Sequence, residues 1–202
     1  FAYSVWFYIN DWNYRYGEPK VILGRMGGSS SDAGGDSSGI VGVAGADPCP
    51  LIVLGAVENN ITCVQTCFSN VTPSSTAAAA SSSSVTHSCS VSNIPIQSWV
   101  NLVVSVYNQT MDMYINGKLV RTCILPGIAK INTAADLKIT PNGGFSGYTS
   151  NIAYYPNSLN PQEAYNIYVK GYRGGGWGNI FSSYQLSVSL QENGVTQSTV
   201  TI

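Results

Sequence analysis

The stretch MDMYINGKLVRTCIL, residues 111–125, decides the fold. Two alternating runs flank Asn116-Gly117, and Asn-Gly between such runs predicts a type I′ β-hairpin. Both central positions of that turn need positive φ, which Asn and Gly tolerate best. A two-residue turn pairs Ile115 with Lys118. Met113 then falls opposite Val120, and Asp112 opposite Arg121, an opposite-charge pair worth about 0.2–1 kcal/mol.

Strand signals continue in both directions. Upstream, WVNLVVSVY (99–107) alternates, with Val100, Leu102, Val104 and Val106 on one face. At the start, FAYSVWFYI (1–9) puts Phe1, Tyr3, Val5, Phe7 and Ile9 on one face. Trp6 and Tyr8 fall on the other, so both faces are expected to be covered. LIVLGAV (51–57) reads as a strand, and ITCVQTC (61–67) as its neighbour across a turn at Glu58-Asn59-Asn60. Downstream, DLKIT (136–140) and FSGYTSNIAYY (145–155) are strands either side of PNGG (141–144).

One helix start is well marked. Asn160 suits the N-cap, Pro161 the first helical position, and Glu163 closes a capping box. Gly171 suits the position after the last turn, so the helix spans about 161–170. YQLSVSL (184–190) and VTQSTVTI (195–202) form a closing hairpin around Glu192-Asn193-Gly194. GGSSSDAGGDSSG (27–39) and PSSTAAAASSSS (73–84) read as flexible surface loops. The whole is an all-β chain of one domain, 1–202, folded as a two-sheet antiparallel jelly-roll sandwich with one short helix. Few strands can be parallel, because crossover helices are missing.

Composition narrows function. Charged residues are 9% of the 202, against about a quarter in ordinary soluble domains. Hydrophobic residues make 44%, which excludes a disordered chain. The net charge is −1, and no Lys or Arg lies between Arg25 and Lys118. A stretch so poor in cations cannot grip phosphates, so nucleic acid is excluded as a partner. Such low charge suits a protein held in an assembly better than one free in solution. No clean apolar run is long enough to cross a membrane as a helix. Since Phe1 already lies in a strand, a preceding signal, anchor or other segment is expected, and any membrane contact would run through it.

Catalytic patterns are missing. No pair of acids is spaced along a strand as glycoside hydrolysis requires, and Glu18, Glu58, Glu163 and Glu192 are scattered. His87, the only histidine, reads as an exposed loop residue beside the Ser-rich stretch. GYRGGGWGN (171–179) follows a helix and precedes a strand, the reverse of a phosphate loop. We therefore expect no enzyme activity, no metal and no cofactor.

Five cysteines, Cys49, Cys63, Cys67, Cys89 and Cys123, leave at least one unpaired. One or two disulfides, or buried free thiols, are open readings. Asn60, Asn70 and Asn108 head N-x-Thr sequons, which matter only in a secretory pathway. Trp12, Tyr14 and Tyr16 in NDWNYRYGEP, with Trp177 in the glycine loop, are the candidate ligand- or partner-binding aromatics. Plugging the ends of the sandwich is their alternative role.

These pieces resemble a known family. WVNL (99–102), DMYINGKLV (112–120), GFSGY (144–148) and the helix ending IYVKG are similar to the laminin-G-like branch of the concanavalin A-like lectin/glucanase superfamily. NDWNYRYGEPKVIL, NIPIQSWVNLVVSVYNQTMDMYINGKLVRTC and GYRGGGWGNIFSSYQLSVSLQENG resemble the form found in virion proteins of large nucleocytoplasmic DNA viruses. The resemblance implies a jelly roll, a Cys89–Cys123 disulfide, and a minor capsid or virion-surface protein that binds other capsid proteins. A lectin-like module that binds glycans is the alternative. The superfamily's glucanase acids are absent, so its activity does not carry over.

Overall fold

A computed structural model of the chain describes residues 1–27, 38–68, 84–173, 187–192 and 195–201. Most of the two loops read as flexible lies outside the described residues, as do Asn70 and Trp177. The strands are β1 (Ala2–Asp11), β2 (Lys20–Arg25), β3 (Leu51–Leu54), β4 (Asn60–Phe68), β5 (Ser84–Ser92), β6 (Trp99–Tyr107), β7 (Thr110–Ile115), β8 (Lys118–Ile124), β9 (Leu137–Ile139) and β10 (Ser146–Tyr155). Helix α1 (Pro161–Lys170) follows, then β11 (Ser187–Glu192) and β12 (Val195–Thr201).

Two five-stranded sheets run in the orders β10-β1-β6-β7-β8 and β5-β4-β3-β2-β9, and every pairing is antiparallel. β11 and β12 pair with each other as a separate ribbon. Alternation in the sequence becomes the core directly. Val5, Phe7 and Ile9 of β1, with Val100, Leu102, Val104 and Val106 of β6, face Ile52, Leu54, Ile61 and Cys63 of the other sheet. Apolar side chains from both sheets interdigitate in this way in sandwich cores.

α1 forms at its expected bounds because its ends are satisfied locally. Asn160 Oδ1 accepts from Glu163 N at 2.9 Å, and Glu163 Oε2 accepts from Asn160 N at 2.8 Å. Ala164 and Ile167 pack on Val103 and Tyr114, so the helix covers the outer face of the first sheet. Trp6, on that outer face, stacks on Tyr168 with centroids 5.7 Å apart. Both faces of β1 are thus covered.

Two expectations change, and a strand left unassigned from the sequence appears. The β7–β8 hairpin turns at Asn116 (φ 51) and Gly117 (φ 73), but a bulge intervenes. Ile115 pairs with Lys118 and Tyr114 with Leu119, while Met113 faces Arg121 and Asp112 faces Thr122. Val120 is the extra residue, and the Asp112–Arg121 pair does not form. Ser84–Ser92 is a strand, and His87 sits in it opposite Gln65 rather than in a loop. Lys20–Arg25 is a buried strand beside β3, its side chains enclosed on both faces.

Candidate functional site

The loop after β1 holds three of the four candidate aromatics, and packing ties them down. Trp12 is half-buried against the core, and its indole N–H donates to Val57 O at 3.1 Å. The Lys20 ammonium lies 5.2 Å from the Trp12 ring. Burial lowers the Lys20 pKa, Arg15's charge lowers it further, and Glu18 opposes. Tyr14 donates its hydroxyl to Gly143 O at 3.3 Å. Between them Arg15 bonds Asn142 O and pairs with Glu18 at 2.7 Å. Only Tyr16 stands free, at 59% exposure. Trp12 and Tyr14 are thus each held by a backbone carbonyl of another loop.

A different set of aromatics converges. On the outer face of the first sheet, Tyr148 of β10 is the direct partner of Tyr8 of β1, which is the direct partner of Trp99 of β6. Cross-strand neighbours on one face lie close enough for their rings to touch. Tyr8 meets Trp99 edge-on at 5.8 Å and Tyr148 at 6.3 Å. Tyr172, just past α1, stacks flat on Trp99, with centroids 4.4 Å apart and planes 7° apart. The Arg173 guanidinium lies 5.5 Å from the Tyr172 ring. Ser150 Oγ donates to Tyr172 O at 2.7 Å, which ties this segment to β10.

Together Tyr8, Trp99, Tyr148, Tyr172 and Arg173 line an open cleft of about 320 Å³. Phenols, an indole and a guanidinium make up this lining, with no carboxylate or imidazole among them. Such a surface offers flat apolar faces and hydrogen-bond donors, which suit a ring with one apolar face and several hydroxyls. Sequence reading missed it because Tyr8, Trp99 and Tyr148 are remote in the chain. Only the pairing register brings them into one row. The outward phase of Tyr8 on β1 was the available signal.

The cysteines lie elsewhere. Cys89 and Cys123 form a disulfide between β5 and β8, the pair implied by the family resemblance, and so join the two sheets. Cys49, Cys63 and Cys67 are free and buried. Burial pushes the Cys63 thiol up to about 12 and Cys49 to about 11. Among the described residues no group of three His, Cys, Asp or Glu is placed to hold a metal.

Solved structures share this architecture. The botulinum neurotoxin serotype D binding domain matches 83% of this chain and 35% of its own, at TM-score 0.55 and 11% identity. The receptor binding domain of botulinum neurotoxin C/D mosaic serotype matches 94% of this chain and 44% of its own, at TM-score 0.51 and 10% identity. What is shared is a two-sheet β-sandwich. At these identities the likeness is one of fold, and this chain spans less than half the length of either structure. No protein-family model and no curated protein matches the chain.

Proposed function

We propose that this chain is a non-enzymatic, lectin-like module that binds a saccharide in the aromatic cleft. The observation that carries the reading is the row Tyr148–Tyr8–Trp99, capped by Tyr172 on Trp99. Stacked and offset rings present a broad apolar surface, while their hydroxyls and the Arg173 guanidinium reach the edges of a bound ring. The absence of acids from the lining favours binding over glycoside hydrolysis, which needs two carboxyl groups about the scissile bond. The likeness to receptor-binding domains supports the reading as analogy of fold only.

A glycan array probed with the chain, followed by titration of the best ligand, tests this. Tyr148 is 61% exposed, so Tyr148→Ala removes a cleft wall with little risk to folding. The expected loss is about tenfold in Kd, or about 1.4 kcal/mol. A chain that binds no glycan, or binds one equally well without Tyr148, is not a lectin through this cleft.

A second reading, contact with neighbouring capsid proteins in a virion, draws on another surface. Leu119 and Val120 of β8, with Tyr165 and Val169 of α1, are 45–57% exposed. Permanent interfaces are built on such side chains. Co-sedimentation with purified capsid protein, lost on Leu119→Asp and Val169→Asp, would favour it over the lectin reading.

A further inference from the structure

At the end of the first sheet away from the cleft, a second cross-strand row stands open. Tyr107 of β6 faces Thr110 of β7, and Thr110 faces Ile124 of β8. Tyr107 is 69% exposed and Ile124 76%. The tight turn beside them is Asn108-Gln109, and Asn108-Gln109-Thr110 is an acceptor sequon. Asn108 is exposed at the tip of the turn, with φ 50.

We infer that Asn108 carries an N-linked glycan whose first sugars lie over Tyr107 and Ile124. The Cys89–Cys123 disulfide supplies an independent argument. Disulfides persist where the chain matures in an oxidising compartment, and the secretory compartment is also where asparagine is glycosylated. The step balances without any redox change. The Asn108 amide nitrogen attacks C1 of an oligosaccharide held on a polyprenyl diphosphate. The N–C1 bond forms, the C1–O bond breaks, the diphosphate leaves, and the amide proton passes to a base of the transferase.

Asn60 is the contrasting case. It begins β4, its side-chain amide reaches Glu58 Oε2 at 3.5 Å, and it packs against Gly55. Ile61 beside it is fully buried. A glycan on Asn60 would have to displace this packing, so that site stays bare in the folded protein.

Secretion of the chain from a glycosylating eukaryotic host, with peptide mapping after enzymatic deglycosylation in heavy-oxygen water, tests the assignment. Asn108 is expected to carry the label and Asn60 to lack it. Thr110→Ala should abolish occupancy at Asn108, and Thr110→Ser should retain it. An unlabelled Asn108 in secreted, disulfide-bonded protein overturns the site, and equal labelling of Asn60 overturns the selectivity. Hydroxyl-radical footprinting reads the covering role. Oxidation of Tyr107 and Ile124 should rise severalfold once the glycan is removed, and unchanged rates would overturn that role.

Discussion

Asp112 is bound by Thr122, not by Arg121. The Thr122 hydroxyl donates to Asp112 Oδ1 at 2.6 Å across the β7–β8 pair. The bulge at Val120 has moved Arg121 one place along, opposite Met113. Thr122→Val should therefore lower stability by about 0.5–1.5 kcal/mol, the net worth of such a bond. Arg121→Ala should fall within about 0.5 kcal/mol of wild type. A double-mutant cycle in urea denaturation decides the matter. Coupling of Asp112 to Arg121 as large as its coupling to Thr122 would contradict this register.

That shift shows where local chemistry stops informing. Asn116-Gly117 and Asn160/Pro161/Glu163 are legible because turn and cap preferences act within four residues. The core alternation of β1 and β6 is legible because burial has period two. The bulge is not, since KLVRTCI on an exposed edge strand fits either register equally well. SVTHSCSVS of β5 escapes for a related reason. It is an edge strand with few buried positions, so no apolar alternation marks it. The cleft depends on pairing among β10, β1 and β6, which no single segment encodes.

Removing the staple between the sheets should be costly. Cys89 and Cys123 are 34 residues apart in sequence, and closing a loop of that size stabilises by about 3–4 kcal/mol in the chain-entropy account. The Cys89→Ser/Cys123→Ser double variant should lose that much in calorimetry or urea titration. Cys123→Ser alone should behave differently on oxidative refolding. Cys63 is the direct cross-strand partner of Cys89, and antiparallel partners lie within disulfide range. Peptide mapping should then find Cys63–Cys89. A free Cys89 after oxidative refolding would argue against that proximity.

The buried thiols give the fold an alkaline limit. Burial raises the Cys63 pKa to about 12 and the Cys49 pKa to about 11, from an ordinary 9.0. The folded state therefore keeps its protons where the unfolded state loses them. Stability is complete below the unfolded pKa near 9 and falls as pH rises toward 11–12. Each thiol contributes up to about 1.4 kcal/mol per pH unit across that window. Cys63→Ala should flatten the decline above pH ~9 relative to wild type. A thiol reagent at pH ~8 should label Cys63 only as fast as the protein unfolds. Rapid labelling in native buffer would contradict its burial.

An unpartnered indole makes Trp6 a test of packing against polarity. Trp6 is 4% exposed and stacks on Tyr168, yet its N–H has no hydrogen-bond partner among the described residues. A buried donor left unpaired costs about 1–3 kcal/mol. Trp6→Phe removes that donor while retaining a ring for Tyr168, so its net cost should stay below about 1.5 kcal/mol. Trp6→Ala should cost about 3–5 kcal/mol. If both variants are equally damaging in urea titration, the indole N–H contributes a bond that this geometry lacks.

Gly117 joins the hairpin to the helix above it. Its φ of +73 suits the second position of the turn, and a Cβ there would lie 3.1 Å from Tyr165 Cα and 3.1 Å from Tyr168 Cβ. Gly117→Ala therefore meets both a disfavoured backbone region and the base of α1, whose backbone cannot retreat without lifting off Val103 and Tyr114. The expected loss is about 2–3 kcal/mol. Asn116→Gly is the control. Glycine keeps the positive φ but forfeits the bond in which Asn101 N donates to Asn116 Oδ1 at 2.9 Å, a loss of about 1 kcal/mol. The two substitutions also differ in what they disturb. Gly117→Ala displaces Tyr168 from Trp6 and should alter Trp6 emission and near-UV dichroism, whereas Asn116→Gly should leave both unchanged. Equal losses with unchanged spectra would mean that the turn does not seat the helix.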